Sequence, residues 1–333
     1  MKVMVVMNTP LLICVFILIA FFAISSHTAF ALTSVDISVK SVPEIPGPNE
    51  TATISISSYA TDLERANITW YVDNQTVASG TGKKSIPVIT KGIGERTTIR
   101  AVIGTASGVS ITKDIIIQPG DIDLVWEVDD ASTPPFYKGK KLPARESLIR
   151  VSAIPNMAVA GKWLQTEDLI FDWSLNSERN AAASGFNKSS YLYRNNYLKK
   201  IDEISVKASG ITQNVRTQKL VSVPMRSPFI LFYEDSPSEG MKYERALVGG
   251  INLESGSEIN IVSTPYFFSA SHSLSPELTY DWKINDAPIA TPNKKNRLTL
   301  RAPDVRGSST IDLSLGVFQK LFQDYETKLI ISY

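Results

Sequence analysis

A chain of 333 residues, 43% of them hydrophobic, is long and apolar enough to bury two or three domain cores, which excludes a disordered chain. Its 34 Lys and Arg nearly cancel 33 Asp and Glu, so no overall field draws in a polyanion, and nucleic acid is not an expected partner.

The N-terminus differs from the rest. Lys2 precedes an apolar run from Leu11 to Ile24, and Ser25-Ser26-His27-Thr28 leads into Ala29-Phe30-Ala31, with small residues where a signal peptidase reads. This predicts a signal peptide over residues 1–31 and an exported protein: extracellular, periplasmic or at the cell surface. The other reading is an uncleaved anchor. Spanning a bilayer takes roughly 20 apolar residues, and Asn8-Thr9-Pro10 separates Val3–Met7 from the main run. Membrane contact is expected only through this segment, if it stays uncleaved. Cys14, the single cysteine, lies inside the run, so the mature chain carries no internal disulfide, which suits a bacterial envelope better than a eukaryotic secretory setting.

Beyond residue 31 a pattern recurs three times, predicting domains over 32–119, 120–225 and 226–333. The first holds Thr53–Ser57, then Ile68-Thr69-Trp70-Tyr71-Val72-Asp73, then Thr97–Ile103 and Ser110–Ile117, and closes at Gln118-Pro119-Gly120. The second holds Ile149–Pro155, Phe171-Asp172-Trp173-Ser174-Leu175-Asn176, Glu203–Ala208 and Arg216–Val223, and closes at Val223–Pro228. The third holds Ile259–Pro265, Tyr280-Asp281-Trp282-Lys283-Ile284-Asn285, Thr310–Val317 and Thr327–Ser332. Each copy sets a Trp in an alternating strand that ends in Asp or Asn, a turn former. Further upstream, Trp126, Asp129 and Tyr137 match Phe232, Asp235 and Tyr243 at one constant offset. Short alternating strands without helical periodicity predict an all-β chain of three antiparallel sandwiches, with Trp70, Trp173 and Trp282 as the repeated core. Proline at the joints predicts a semi-rigid rod.

The Trp strand, the threefold repeat and the paired final strands resemble the tandem immunoglobulin-like and PKD-like sandwiches of bacterial secreted and surface proteins. That resemblance implies adhesion, spacing or envelope assembly through protein partners. Without cysteine, the antibody-type disulfide beneath the Trp is excluded.

Catalytic chemistry finds little material. His272 is the only histidine of the mature chain and sits in a loop-like Ser269-Ala270-Ser271-His272-Ser273; zinc sites of the usual kinds need several Cys or His. The protein is expected not to be an enzyme and to need no cofactor. Asp129-Asp130 and Glu234-Asp235 occupy nearly matching places before Ser- and Pro-containing turns, which predicts turns with side-chain-to-backbone bonds; calcium is the other reading, although no spaced ligand loop accompanies them. Trp163, Tyr191, Tyr193 and Tyr197 are candidate contacts for a glycan or protein partner, because exposed flat rings stack on sugars and anchor partners; core packing is the competing reading. Lys83-Lys84, Lys138 to Arg145 and Lys294-Lys295-Asn296-Arg297 read as solvated loops. The expected function is a structural and interaction protein, with a carbohydrate-binding surface protein as the alternative.

Overall fold

The computed structural model describes residues 33, 36–290 and 292–333. The predicted signal segment, Cys14 included, lies outside them. The described residues contain no α-helix, and none of their helices is long and apolar enough to cross a membrane. They are built of mainly antiparallel sheets packed as sandwiches, with parallel pairings of Val215 and Arg216 to Gln118 and Pro119 and of Gly250–Asn252 to Asp324–Ser332.

The chain divides into two compact units. One comprises the described residues up to Lys40 with Ile54–Ile86 and Ile99–Ile115; the other comprises Ser41–Thr53, Pro87–Thr98 and the described residues from Ile116 to Tyr333. In the first unit the Trp70 strand, Asn67–Val72, lies between Gln75–Thr81 and the strand that carries Ile99, Ala101 and Ile103. Ile54, Ile56, Ile68, Trp70, Ile99, Ala101 and Ile103 alternate inward and are buried, the period-two burial that a half-covered sheet requires.

The second unit holds two complete sandwiches. In the middle one, Leu169–Leu175 pairs with Ile201–Gly210 and that with Val215–Pro224, opposite a sheet ordered Ser190–Arg194, Leu148–Asn156, Asp121–Val128. In the C-terminal one, Leu278–Ile284 pairs with Ser308–Val317 and that with Asp324–Ser332, opposite Arg297–Arg301, Glu258–Tyr266 and Phe229–Ser236. Each has its own core, one between Ile122 and Val223 and one between Ile230 and Ile331. The two copies differ in register. With Trp126 matched to Phe232, the residue opposite is Val151 in one and Ser263 in the other, two places beyond the Ile261 that the aligned sequences suggest. A slip of two residues leaves the same faces buried, so hydrophobic alternation tolerates it where a slip of one would invert the strand.

The Trp motif is built alike in every copy. Trp70, Trp173 and Trp282 are at most 2% exposed, and each indole N–H donates to the carbonyl of a lysine beyond the next paired segment: Lys83 at 2.7 Å, Lys188 at 2.8 Å and Lys295 at 2.9 Å. Each indole removes about 150–250 Å² from water, and its one polar atom is satisfied without a polar side chain entering the core. After each Trp strand two consecutive residues hold positive φ: Asp73 and Asn74, Asn176 and Ser177, Asn285 and Asp286. That is the backbone of the type I′ hairpin turn, whose twist matches that of the strands it joins.

The join into the middle sandwich also depends on a glycine. Gly94, at φ 74°, donates its N–H to the Pro119 carbonyl at 2.8 Å and accepts the Gln118 amide at 2.7 Å, and any Cβ there would lie 2.4 Å from the Ala158 carbonyl oxygen. Only glycine fits so close an approach at that φ.

Candidate functional site

The four aromatic candidates do not form one platform. On Ser190–Arg194 the pleat turns Tyr191 and Tyr193 inward, where they are 4% and 6% exposed and stack on each other at 5.3 Å. Tyr191 continues to the Trp173 ring at 5.8 Å and accepts the Asn180 amide at 3.1 Å. Both are core residues, which corrects their reading as exposed ligand contacts. Period two sets them on one face as expected, but that face is the core side, and Leu192 between them points out. Desolvation raises both phenols above the ordinary tyrosine value, and in each case buried Asp202 adds to the shift. Trp163 remains exposed on the two-residue hairpin arm paired with Ala158–Val159, and Tyr197 is half-exposed, stacked on Phe322 of the C-terminal sandwich at 4.8 Å.

The acidic pairs are held by cations and backbone. Asp129 pairs with Arg150 at 2.7 Å, while Asp130 accepts the Leu148 N–H at 2.9 Å and Lys320 at 2.9 Å. Glu234 pairs with Lys242 at 3.0 Å, and Asp235 with Arg297. Among the described residues no three His, Cys, Asp or Glu side chains gather to hold a metal. His272 is exposed in a turn, where its Nδ1 accepts the Leu274 N–H at 3.2 Å and its own N–H donates to Ser275. The lysine loops do more than face solvent: Lys295 donates to the carbonyls of Ser275 and Leu278, and desolvation lowers its pKa.

The most elaborate constellation lies between the middle and C-terminal sandwiches. Gln323, fully buried, accepts the Ser269 N–H at 2.7 Å and donates to Ser269 Oγ at 2.8 Å and to the Arg145 carbonyl at 2.5 Å; Ser269 Oγ also meets Ser147 Oγ at 3.1 Å. Lys320 reaches Asp130 and the Glu146 carbonyl, with both side chains of the ion pair less than a quarter exposed. Beside them Phe136 packs on Tyr233 and Tyr243, Tyr137 packs on Tyr266 and Phe267, and Tyr233 and Tyr266 share a 2.9 Å hydroxyl bond. The sequence assigned Lys138 to Arg145 to solvent and left the tip after Val317 unassigned. Its signal was there to read: Phe318, Leu321 and Phe322 are too apolar for an ordinary loop.

No family model matches the sequence, and a search of curated proteins finds no match. Among solved structures the chain is similar to the fibronectin(III)-like modules of CbhA from Clostridium thermocellum, at 13% identity over 57% of this chain and 94% of that one, TM-score 0.27. It is also similar to three N-terminal domains of the highly immunogenic outer capsid protein of bacteriophage RB49 (12% identity, 89% and 97% covered, TM-score 0.25). A third is a structure of a 1.5-MDa bacterial ice-binding adhesin (9%, 89% and 96%, TM-score 0.24). The fold assignment rests on the strand order and registers above.

Proposed function

We propose that this is an exported, non-enzymatic interaction protein, an array of three immunoglobulin-like sandwiches over residues 32–119, 120–225 and 226–333 that serves adhesion or the assembly of a bacterial envelope structure. The observation that carries this reading is the joint between the middle and C-terminal sandwiches. A buried glutamine network, a half-buried ion pair and an aromatic cluster spend polar and apolar interactions on fixing one sandwich against the next. A protein that presents contact faces in register needs such a joint, whereas a hydrolase needs convergent catalytic groups. Here the carboxylates Asp129, Asp130, Glu234 and Asp235 at the repeated turns are each committed to a cation. Sheet edges and outward faces are where partners would dock, by strand addition or side-chain packing.

The test is a crosslinking pull-down with the chain from Leu32 to Tyr333 against the surface of its source cell, analysed separately for protein and glycan. Reproducible enrichment of envelope or filament proteins is the expected outcome. Capture of glycan alone, lost in Trp163→Ala, would replace this reading with the carbohydrate-binding one, which exposed Trp163 favours.

A further inference from the structure

One exposed surface of the second unit is apolar out of proportion to its fold. Two loops meet there: residues 195–200, leading into Ile201–Gly210, and residues 318–323, the tip between Ser308–Val317 and Asp324–Ser332. Their rings stack, Tyr197 on Phe322 at 4.8 Å and 17° between planes, and the Arg145 guanidinium lies 5.5 Å over the Phe322 ring. Around this stack Leu198 is 75% exposed, Phe318 69% and Leu321 80%.

These side chains do not hold the tip in place. Val317 N–H to the Gln323 carbonyl and Lys320 N–H to the Val317 carbonyl close the turn, while Leu321 N–H to Glu146, Lys320 to Asp130 and the Gln323 network anchor it. The fold would stand with serine at 198, 318 or 321, so their exposure brings no structural return. Cations adjoin these side chains: exposed Lys199 and Lys200 follow Leu198 directly, and Arg145 lies over Phe322. Arg194 is held by Asp130 and the Glu146 carbonyl, Asp130 and Glu146 are also engaged by Lys320 and the Leu321 N–H, and Asp324 and Glu277, whose carbonyl accepts the Phe318 N–H, are exposed at the base.

We propose that this tip binds the surface of an anionic lipid bilayer, with Leu198, Phe318 and Leu321 entering the boundary between headgroups and acyl chains and Lys199 and Lys200 meeting the anionic headgroups. Exposure and adjacent positive charge favour lipid over protein. Anchors of a protein interface fill packed pockets in the partner, whereas exposed apolar side chains next to Lys199 and Lys200 need only a fluid, anionic phase that accepts them without complementary contours. The near-zero net charge gives no long-range attraction, so contact is local, adds to any through the N-terminal segment and weakens with salt. The sequence reading confined membrane contact to that segment because loop residues so far apart in sequence give no sign of meeting.

Flotation of the chain from Leu32 to Tyr333 with vesicles of phosphatidylcholine, alone or with roughly one part in four phosphatidylglycerol, tests the proposal. Binding to the mixed vesicles and little to the neutral ones is expected. Phe318→Ser with Leu321→Ser should lower the partition about tenfold or more at unchanged melting temperature, and Lys199→Glu with Lys200→Glu should abolish the preference for anionic lipid. Tyr59→Ser, at a fully exposed ring elsewhere, should change nothing. Failure of the wild-type chain to float, an unaltered partition in the serine pair, or an equal loss in Tyr59→Ser would each overturn the proposal. Loss of captured envelope protein in the serine pair with vesicle binding intact would show a protein-docking face and equally refute it. None of these outcomes bears on the pull-down of wild-type chain, so the function proposed above stands or falls separately.

Discussion

At the scale of single residues, aromatic side chains carry most of the specificity, and the polar atom of each decides how it is used. The indole N–H of Trp70, Trp173 and Trp282 is absorbed by a lysine carbonyl, so three large rings are buried without leaving a donor unpaired. The phenols are used differently. Tyr193, Tyr266 and Tyr280 are at most 6% exposed, and desolvation by burial, first among the causes, raises each above the ordinary value of 10. In the unfolded chain these groups ionise from about pH 10. A raised folded value means that the native state binds more protons above that pH, so the stabilisation is complete below pH 10 and is lost as pH rises beyond it. Thermal melts should therefore be flat with respect to these tyrosines up to about pH 9 and fall steeply above pH 10. A melting temperature that held through that range would mean the phenols are solvated.

At the scale of elements, turn geometry does work that strand propensity does not. Asn285 stands at φ 50°, accepts the Thr310 N–H at 2.8 Å and donates to Ser309 at 3.3 Å, and Asn176 makes the corresponding bond with the Glu203 N–H at 3.1 Å. One residue thus supplies a left-handed backbone and ties the hairpin to the neighbouring strand. Asn285→Ala should cost about 1–3 kcal/mol, from the strain of alanine at positive φ and the lost bond, while Asn285→Gly should cost less because only the bond is lost. Denaturant midpoints of the two variants compare them directly, and equal losses would show that backbone strain is not a factor there.

For the molecule as a whole, the contacts at the joint between the middle and C-terminal sandwiches should couple them into one cooperative body. Gln323→Ala would strand the Ser269 N–H and the Arg145 carbonyl in a buried site, at about 1–3 kcal/mol. The wild-type pair should unfold in one calorimetric transition; the variant should separate into two and be cut faster by protease at residues 224–228. A wild-type scan already resolved into two transitions would show that the joint does not couple them. How much of this was legible in advance follows a physical line. Period-two burial, the Trp strands with their Asp or Asn turns and the all-β class are local patterns repeated in tandem, and local patterns are what a single chain displays. Even the two-residue register difference left them readable, because parity was kept. Which face of a strand is the core side is a tertiary matter. It buried Tyr191 and Tyr193, gave the lysine loops their carbonyl role, and brought Tyr197 to Phe322 across a separation in sequence that no pattern spans. The sequence alone therefore determined the kind of element and its repeat, through the alternation that one buried face demands; only the packing of sheet on sheet and of sandwich on sandwich decided which side chains are left facing water.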